Sequence, residues 1–229
     1  MPTTDGLEEY RRKRDFAKSA EPRGGASRGG RPGQRPSFVV QIHDATTTHF
    51  DFRLEVDGVL KSWAVPKGPS GDPQEKRLAM PTEDHPLDYA DFEGTIAEGE
   101  YGAGTVILWD EGTYRSTSAD RRGKEVPFAD ALERGHASFL LHGHKLHGGY
   151  ALTRIRQGTD REAWLLVKKD DARGSRHRTP DPTRARSVRT RRTLRQVAAH
   201  RSPGHGLRGV RHHLRMLARL VSVTCDISP

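Results

Sequence analysis

The segment FVVQIHDATTTHFDFR, residues 38–53, restricts this chain more than any other. Phe38, Val40 and Ile42 alternate with Val39, Gln41 and His43, the period of two that a half-buried strand imposes. After a polar connection, Asp44 to Thr48, the alternation resumes. His49, Asp51 and Arg53 share one face, and Phe50, Phe52 and Leu54 share the other. The two runs read as a hairpin. Pairing lets Gln41 and His43 join the polar face, which then carries two imidazoles, a carboxylate and a guanidinium. Such a face is costly unless it binds something.

Imidazole and carboxylate together suit Zn, Mn, Fe or Ni, and thiolate-preferring sites are excluded because Cys225 is the single cysteine. Arg53, two residues beyond Asp51, is placed to fork onto an anion that a metal also touches. A metal, a phosphate and an Arg so arranged polarise a phosphoryl oxygen and can supply a hydroxide nucleophile. Spacing alone leaves two readings open: this site, or a polar outer sheet face with incidental histidines.

The continuous run FVVQIHDATTTHFDFRLEVDGVLKSWAVPKGPS closely resembles the 3′-phosphoesterase module of bacterial DNA ligase D and its stand-alone relatives. The likeness continues through EKRLAMPTEDHPLDYADFEGTIAEGEYGAGTVILWDEGTY. It starts at LEEYRRKRDFAKSAEPRG and ends near WLLVKKDD, covering about residues 7–171.

Length and charge set further limits. A chain of 229 residues is expected to hold one domain plus tails, and 33% hydrophobic residues with a mean hydropathy of −0.81 imply that part of it contributes no core. No apolar run is long enough to cross a bilayer, and MPTTDGLEEYRRKRD is no signal peptide, so a cytoplasmic protein is expected. A lone cysteine cannot form an internal disulfide and fits the same compartment. From Asp170 onward 14 Arg face four Asp, +10 within a total of +9, which leaves residues 1–169 at −1. The expected organisation is an N-terminal helix and flexible Gly/Arg/Pro linker (1–36), a barrel domain (37–171) and a basic, largely disordered tail (172–229). Such a tail can grip phosphate backbones without reading sequence.

Along the chain, residues 7–18 have helix-forming composition with Asp5 as N-cap, and residues 22–36 are a flexible Gly/Pro/Arg connection. Asp57-Gly58 is a hairpin turn signal. Glu55-Val56-Asp57-Gly58 has Glu where a nucleotidyl-lysine motif needs Lys, so no adenylylation site and no ligase is expected. GPSGDPQEKR reads as a loop, RLAMPTE as a short strand, and His85 before Pro86 as an extended loop residue. Residues 93–104 are turns without a phosphate-cradling pattern. TVILWD is a strand, Asp110-Glu111-Gly112 a turn, and PFADALERG a helix closing at Gly135. The next hairpin carries His142, His144 and His147 near its connection, with no carboxylate beside them, so no second metal site is expected there. AWLLVKK is the last strand, with Trp164 in the core. A short helix is expected at 193–199, and Leu214, Leu217 and Leu220 could form the stripe of a docked helix.

Many short strands at regular spacing with Gly turns argue a mainly β domain. The resemblance implies a compact β-barrel of about eight strands with one or two flanking helices. It implies a Mn²⁺-dependent enzyme that removes a 3′-terminal ribonucleoside from a primer strand, then the 3′-phosphate, leaving a 3′-hydroxyl in bacterial end joining. His43, His49 and Asp51 would hold the metal. Arg53, Arg77, His85 and Lys67 would bind and polarise the phosphate, Tyr89 would assist, and Arg14, Asp15, Glu21 and Gln41 would support. The donor set alone would also accept Zn²⁺. The implied partners are DNA or DNA/RNA 3′ ends, and possible separate ligase, polymerase or Ku proteins, with the chain itself a monomer. Two other classes stay open: a non-catalytic nucleic-acid-binding accessory of a repair ligase, and a metallo-phosphoesterase acting on small nucleotides.

Overall fold

The computed structural model describes residues 4–24, 34–157, 162–171 and 181–200. Its centre is the expected hairpin, strand β1 (Ser37–Asp44) against β2 (Thr48–Val56), with Val39 opposite Arg53, Gln41 opposite Asp51 and His43 opposite His49. Asp57 and Gly58, both at positive φ (49° and 85°), turn the chain into β3 (Val59–Val65), as the Asp-Gly pair predicts. β4 (Lys76–Pro86), β5 (Gly94–Ile96), β6 (Gly104–Ser116), β7 (His136–Gly143), β8 (His147–Arg156) and β9 (Ala163–Lys168) follow. The pairing order β1-β2-β3-β4-β9-β8-β7-β6 closes through β1–β6 into an eight-stranded antiparallel barrel, and β5 is appended to β6 outside the ring. The mainly β, barrel expectation holds.

Alternation decides what fills the barrel. Phe38, Val40, Ile42, Phe50, Phe52 and Leu54 are all buried and join Trp63, Ile107, Phe139 and Trp164 in one core. The other face of the same hairpin is therefore the outer wall. Instead of meeting solvent it is roofed by a second cluster of Tyr10, Leu60, Tyr89, Phe92, Ile96 and Val106. Tyr10 comes from helix α1 (Glu8–Arg12), and Tyr89 from a 3₁₀ turn, Leu87–Asp91. That roof is why Gln41 and Arg53 are 0% and 2% exposed on the outside of a barrel.

Three local expectations change. The helix expected over 7–18 is only Glu8–Arg12 after a 3₁₀ turn, Thr4–Leu7, and no side chain caps Leu7. The Asp15 carboxylate accepts from the backbone of Ala17 at 3.0 Å, a local bond that competes with helix and ends it. Asp110-Glu111-Gly112 is not a turn but the middle of the 13-residue β6. Opposite β1 the register slips between Val40 and Gln41, so Trp109 is an extra, bulged residue that bends the strand on toward β7. The Asp110 carboxylate takes the backbone N–H groups of His144, Lys145 and Leu146 (3.0, 2.9 and 2.8 Å), and Gly112 has no Cβ to strike the His142 carbonyl. Finally, Lys76 and His85 are not loop residues but part of β4, which extends the expected strand at both ends.

Helix α2 (Phe128–Glu133) ends before Gly135 (φ 83°), where a left-handed residue was expected. Residues 181–200 pack on the barrel through buried Ala185, Leu194 and Val197, with Arg189 joined to Glu111 and to Asp91 (2.7 Å). Helix α3 (Leu194–Ala199) starts on Thr193 with a capping box to Gln196, matching its expected place. Residues 25–33, 172–180 and 201–229, including Cys225 and the Leu214–Leu220 stripe, lie outside the described residues.

Candidate active site

On the roofed outer wall, His43, His49 and Asp51 each offer one ligand atom within 4.8 Å of the others. The remote nitrogen of each imidazole is already committed to a backbone carbonyl: His43 Nε2 donates to Gly102 (2.8 Å) and His49 Nδ1 to Thr47 (2.9 Å). This fixes both tautomers. It leaves His43 Nδ1 and His49 Nε2 with free lone pairs facing the Asp51 carboxylate at 3.8 and 3.6 Å. Two imidazoles oriented by carbonyls around one carboxylate are what a divalent ion such as Mn²⁺ or Zn²⁺ requires of its ligands and their supports. The residues fit a metal; its identity does not follow from them.

Arg53 binds the other side of Asp51. Its Nη2 donates to Asp51 (2.9 Å), Nε to Gln41 Oε1 (2.9 Å) and Nη1 to Ser62 Oγ (2.7 Å). Gln41 is itself held by donating to the carbonyls of Tyr89 and Phe92 (3.1 and 3.0 Å). A guanidinium has five N–H groups, so with three used here its terminal nitrogens still have donors for an anion. Burial alone would raise the Asp51 carboxyl, but Arg53, with His49 and His43, overrides it and holds Asp51 far below the usual carboxylate range. Burial pushes both imidazoles down. Asp51 reverses this for His49, which ends above its ordinary value, but not for His43, which stays below.

His85 stands behind Arg53. Its Nδ1 donates to the Glu83 carbonyl (2.8 Å), and its Nε2 accepts from Arg14 Nη2 (3.2 Å). Arg53 Nη1 is 2.9 Å from Nδ1, but both atoms carry hydrogens in this tautomer, so that contact is charge against ring rather than a hydrogen bond. Burial first, then Arg53 and Arg14, push His85 well below its ordinary value, and it is neutral at pH 7. Tyr89 lies edge-on to it at 4.6 Å between ring centres, under the Arg53 guanidinium at 4.9 Å; burial keeps its phenol protonated. Arg14 is bound by Glu21 (2.8 Å), Glu83 (3.0 Å) and the Tyr10 carbonyl (3.0 Å), and its guanidinium covers the Tyr10 ring at 3.8 Å.

These groups line a cavity of about 270 Å³ that includes Arg14, Glu21, His43, His49, Asp51, Arg53, Glu83, His85, Tyr89 and Tyr101. A larger cleft of about 610 Å³, with Lys61, Trp63, Asp84, Leu132 and Arg154 on its walls, contains none of the His and Asp set. Most of the expected residues are thus together, and Gln41 stands behind them. Three are not on the cavity wall. Asp15 is exposed and pairs with Lys18 (3.3 Å). Lys67 is exposed just past the end of β3. Arg77 pairs with Glu75 and shares the strand face of Ala79, which belongs to the barrel interior.

Sequence reading missed Ser62, Glu83, Tyr10 and Tyr101. Ser62 was within reach of it, because register places Ser62 opposite Arg53 on the same face. Glu83 was hidden once His85 was read as a loop residue. Tyr10 and Tyr101 arrive from distant segments and leave no local signal. Among the described residues no helix is long and apolar enough to cross a membrane, and His43, His49 and Asp51 form the one metal-competent group.

Two guanidiniums, a shielded carboxylate and metal-competent imidazoles on a barrel wall suit phosphoester chemistry, and that is the class the fold and site define. The family model described as "DNA Ligase D 3'-phosphoesterase domain" matches residues 41–154, and the chain belongs to that family. It is 51% identical over 171 residues to the "Multifunctional non-homologous end joining protein LigD" of Pseudomonas aeruginosa, covering 75% of this chain and 19% of that protein. The Mycobacterium tuberculosis "Multifunctional non-homologous end joining DNA repair protein LigD" is 46% identical over 166 residues, 72% of this chain and 20% of the relative. The similar protein of Mycolicibacterium smegmatis is 41% identical over 175 residues, 76% and 22% respectively. The chain spans about a fifth of the length of these relatives.

Proposed function

We propose that this domain is a metal-dependent phosphoesterase of nucleic-acid 3′ ends that prepares breaks for end joining. It removes a 3′-terminal ribonucleoside and then the 3′-phosphate, leaving a 3′-hydroxyl on which polymerase and ligase activities act, with Ku as a further partner. The names of the similar proteins support the repair setting. The observation that carries the chemistry is Asp51: one carboxylate faces both imidazoles and also binds the guanidinium that grips the anion.

His43, His49 and Asp51 would hold a divalent ion, Mn²⁺ on the family resemblance, and the chemistry it would supply there is positive charge for phosphoryl oxygens and a more acidic water. The unused N–H groups of Arg53 bind non-bridging oxygens, while Gln41 and Ser62 lock its plane before substrate arrives. His85 is neutral between two guanidiniums, and an entering phosphate reverses that local field. The imidazole can then carry a proton on Nε2 and deliver it to the departing alkoxide oxygen. In the resting site Nε2 accepts from Arg14, itself held by Glu21 and Glu83, and protonation of Nε2 releases that hydrogen bond. Lys67, Arg77 and Asp15 take no part in this geometry.

The test is a labelled duplex primer ending in one ribonucleotide, incubated with Mn²⁺ and either the native protein, His49→Ala, or a truncation after Asp171. Shortening to a 3′-phosphate and then a 3′-hydroxyl, absent in His49→Ala, is expected. Folded protein that binds the duplex but fails to shorten it, whichever divalent metal is added, would overturn the proposal in favour of an accessory binding module. The truncation also removes residues 181–200, which pack on the barrel through Ala185, Leu194 and Val197, so it reads the basic tail when its melting temperature equals that of the native protein.

A further inference from the structure

We propose that the ring of Tyr101 is the seat of a nucleobase beside the phosphate pocket, so that the site selects nucleotide ends over bare phosphate esters. This deepens the function proposed above and rests on it. Among the described residues the exposed large hydrophobic side chains are Leu78, Tyr101 and Ile155. Of these, Tyr101 alone lines the cavity that holds Arg53, His85 and Asp51. Tyr101 is 48% exposed, so part of its side chain is open to solvent beside that cavity.

The ring is also anchored. Its hydroxyl donates to Glu83 Oε2 at 3.4 Å and accepts from Lys13 Nζ at 3.3 Å. The Lys13 ammonium and the Arg14 guanidinium lie 4.8 and 5.5 Å from the ring centre. The neighbouring Gly102 carbonyl takes the Nε2 proton of His43. Tyr101 is therefore tied at one end to the candidate metal ligand and at the other to the Glu83–Arg14–His85 chain. Every base has a π face, so an aromatic platform accepts any base, and the flanking cations suit the phosphate attached to it.

The experiment measures anisotropy of a labelled primer–template duplex ending in a 3′-phosphate, without divalent metal, alongside the same duplex lacking its 3′-terminal base. Wild type, Tyr101→Phe and Tyr101→Leu are compared. Loss of the base should weaken wild-type binding about 5- to 150-fold, the range of one stacked base. Tyr101→Leu should bind the intact duplex about as weakly and treat both duplexes alike, while Tyr101→Phe should behave as wild type. Base discrimination by Tyr101→Leu equal to that of wild type would overturn the proposal. So would a Tyr101→Phe protein as weak as Tyr101→Leu, since the hydroxyl link to Glu83 would then be the whole role. Wild-type hydrolysis in the presence of Mn²⁺ separates the two ideas. Base-sensitive binding without hydrolysis defeats the proposed function and leaves the base seat standing, whereas hydrolysis without base sensitivity defeats the seat alone.

Discussion

Replacing Arg14 by alanine removes the cation that joins the N-terminal segment to the site. The Arg14 side chain is 4% exposed, and its partners Glu21 and Glu83 are 1% and 3% exposed, so neither carboxylate can turn to water. Glu83 keeps Lys13 at 3.2 Å; Glu21 keeps the Ser19 hydroxyl at 2.7 Å but no cation. Breaking a buried pair from one side costs about 3–5 kcal/mol, because a desolvated charge is left behind. For a domain of this size each kcal/mol lowers Tm by about 2–4 °C, so Arg14→Ala should melt about 6–20 °C below wild type by circular dichroism. The double variant Arg14→Ala, Glu21→Gln should recover part of that loss, since it removes the orphaned charge. Arg14→Ala melting within about 2 °C of wild type would refute the reasoning that this buried network pins the roof.

Two further outcomes follow from the same site. Because His85 is held neutral when folded but titrates near 6.5 when unfolded, the unfolded state binds the extra proton below that pH. Its contribution is present above pH 6.5 and is lost on acidification, so His85→Gln should flatten the fall in stability between pH 6.5 and 5, by up to about 1.4 kcal/mol per pH unit in urea titrations. A slope unchanged in the variant would show that the imidazole is protonated in the folded protein. For the metal, Mn²⁺ or Zn²⁺ at 100 times its Kd should stabilise the protein by about 2.7 kcal/mol, or about 5–11 °C in a thermal melt. Asp51→Asn and His49→Ala should lose that shift, and an equal shift in either variant would place the ion elsewhere.

The strand β2 shows how far local order reaches. Side chains two apart must share a face, so His49, Asp51 and Arg53 were legible as one set before any fold was known. The Asp57-Gly58 turn, Gly135 after α2 and the short helix near 193–199 were legible for the same reason: a short stretch of chain sets their geometry. Asp110-Glu111-Gly112 misled because turn composition also suits a bulged strand crossing, where Asp110 caps someone else's turn.

By itself, the sequence determined the barrel's alternating walls and the chemistry on one of them. Only the tertiary structure decided that the polar wall is an outer one, roofed by Tyr10 and Tyr89, and that Arg14, Glu21 and Glu83 converge on His85 from segments up to 71 residues apart. It also decided protonation. A pKa depends on burial and on charges a few ångströms away in space, and neither quantity is a property of neighbouring residues along the chain.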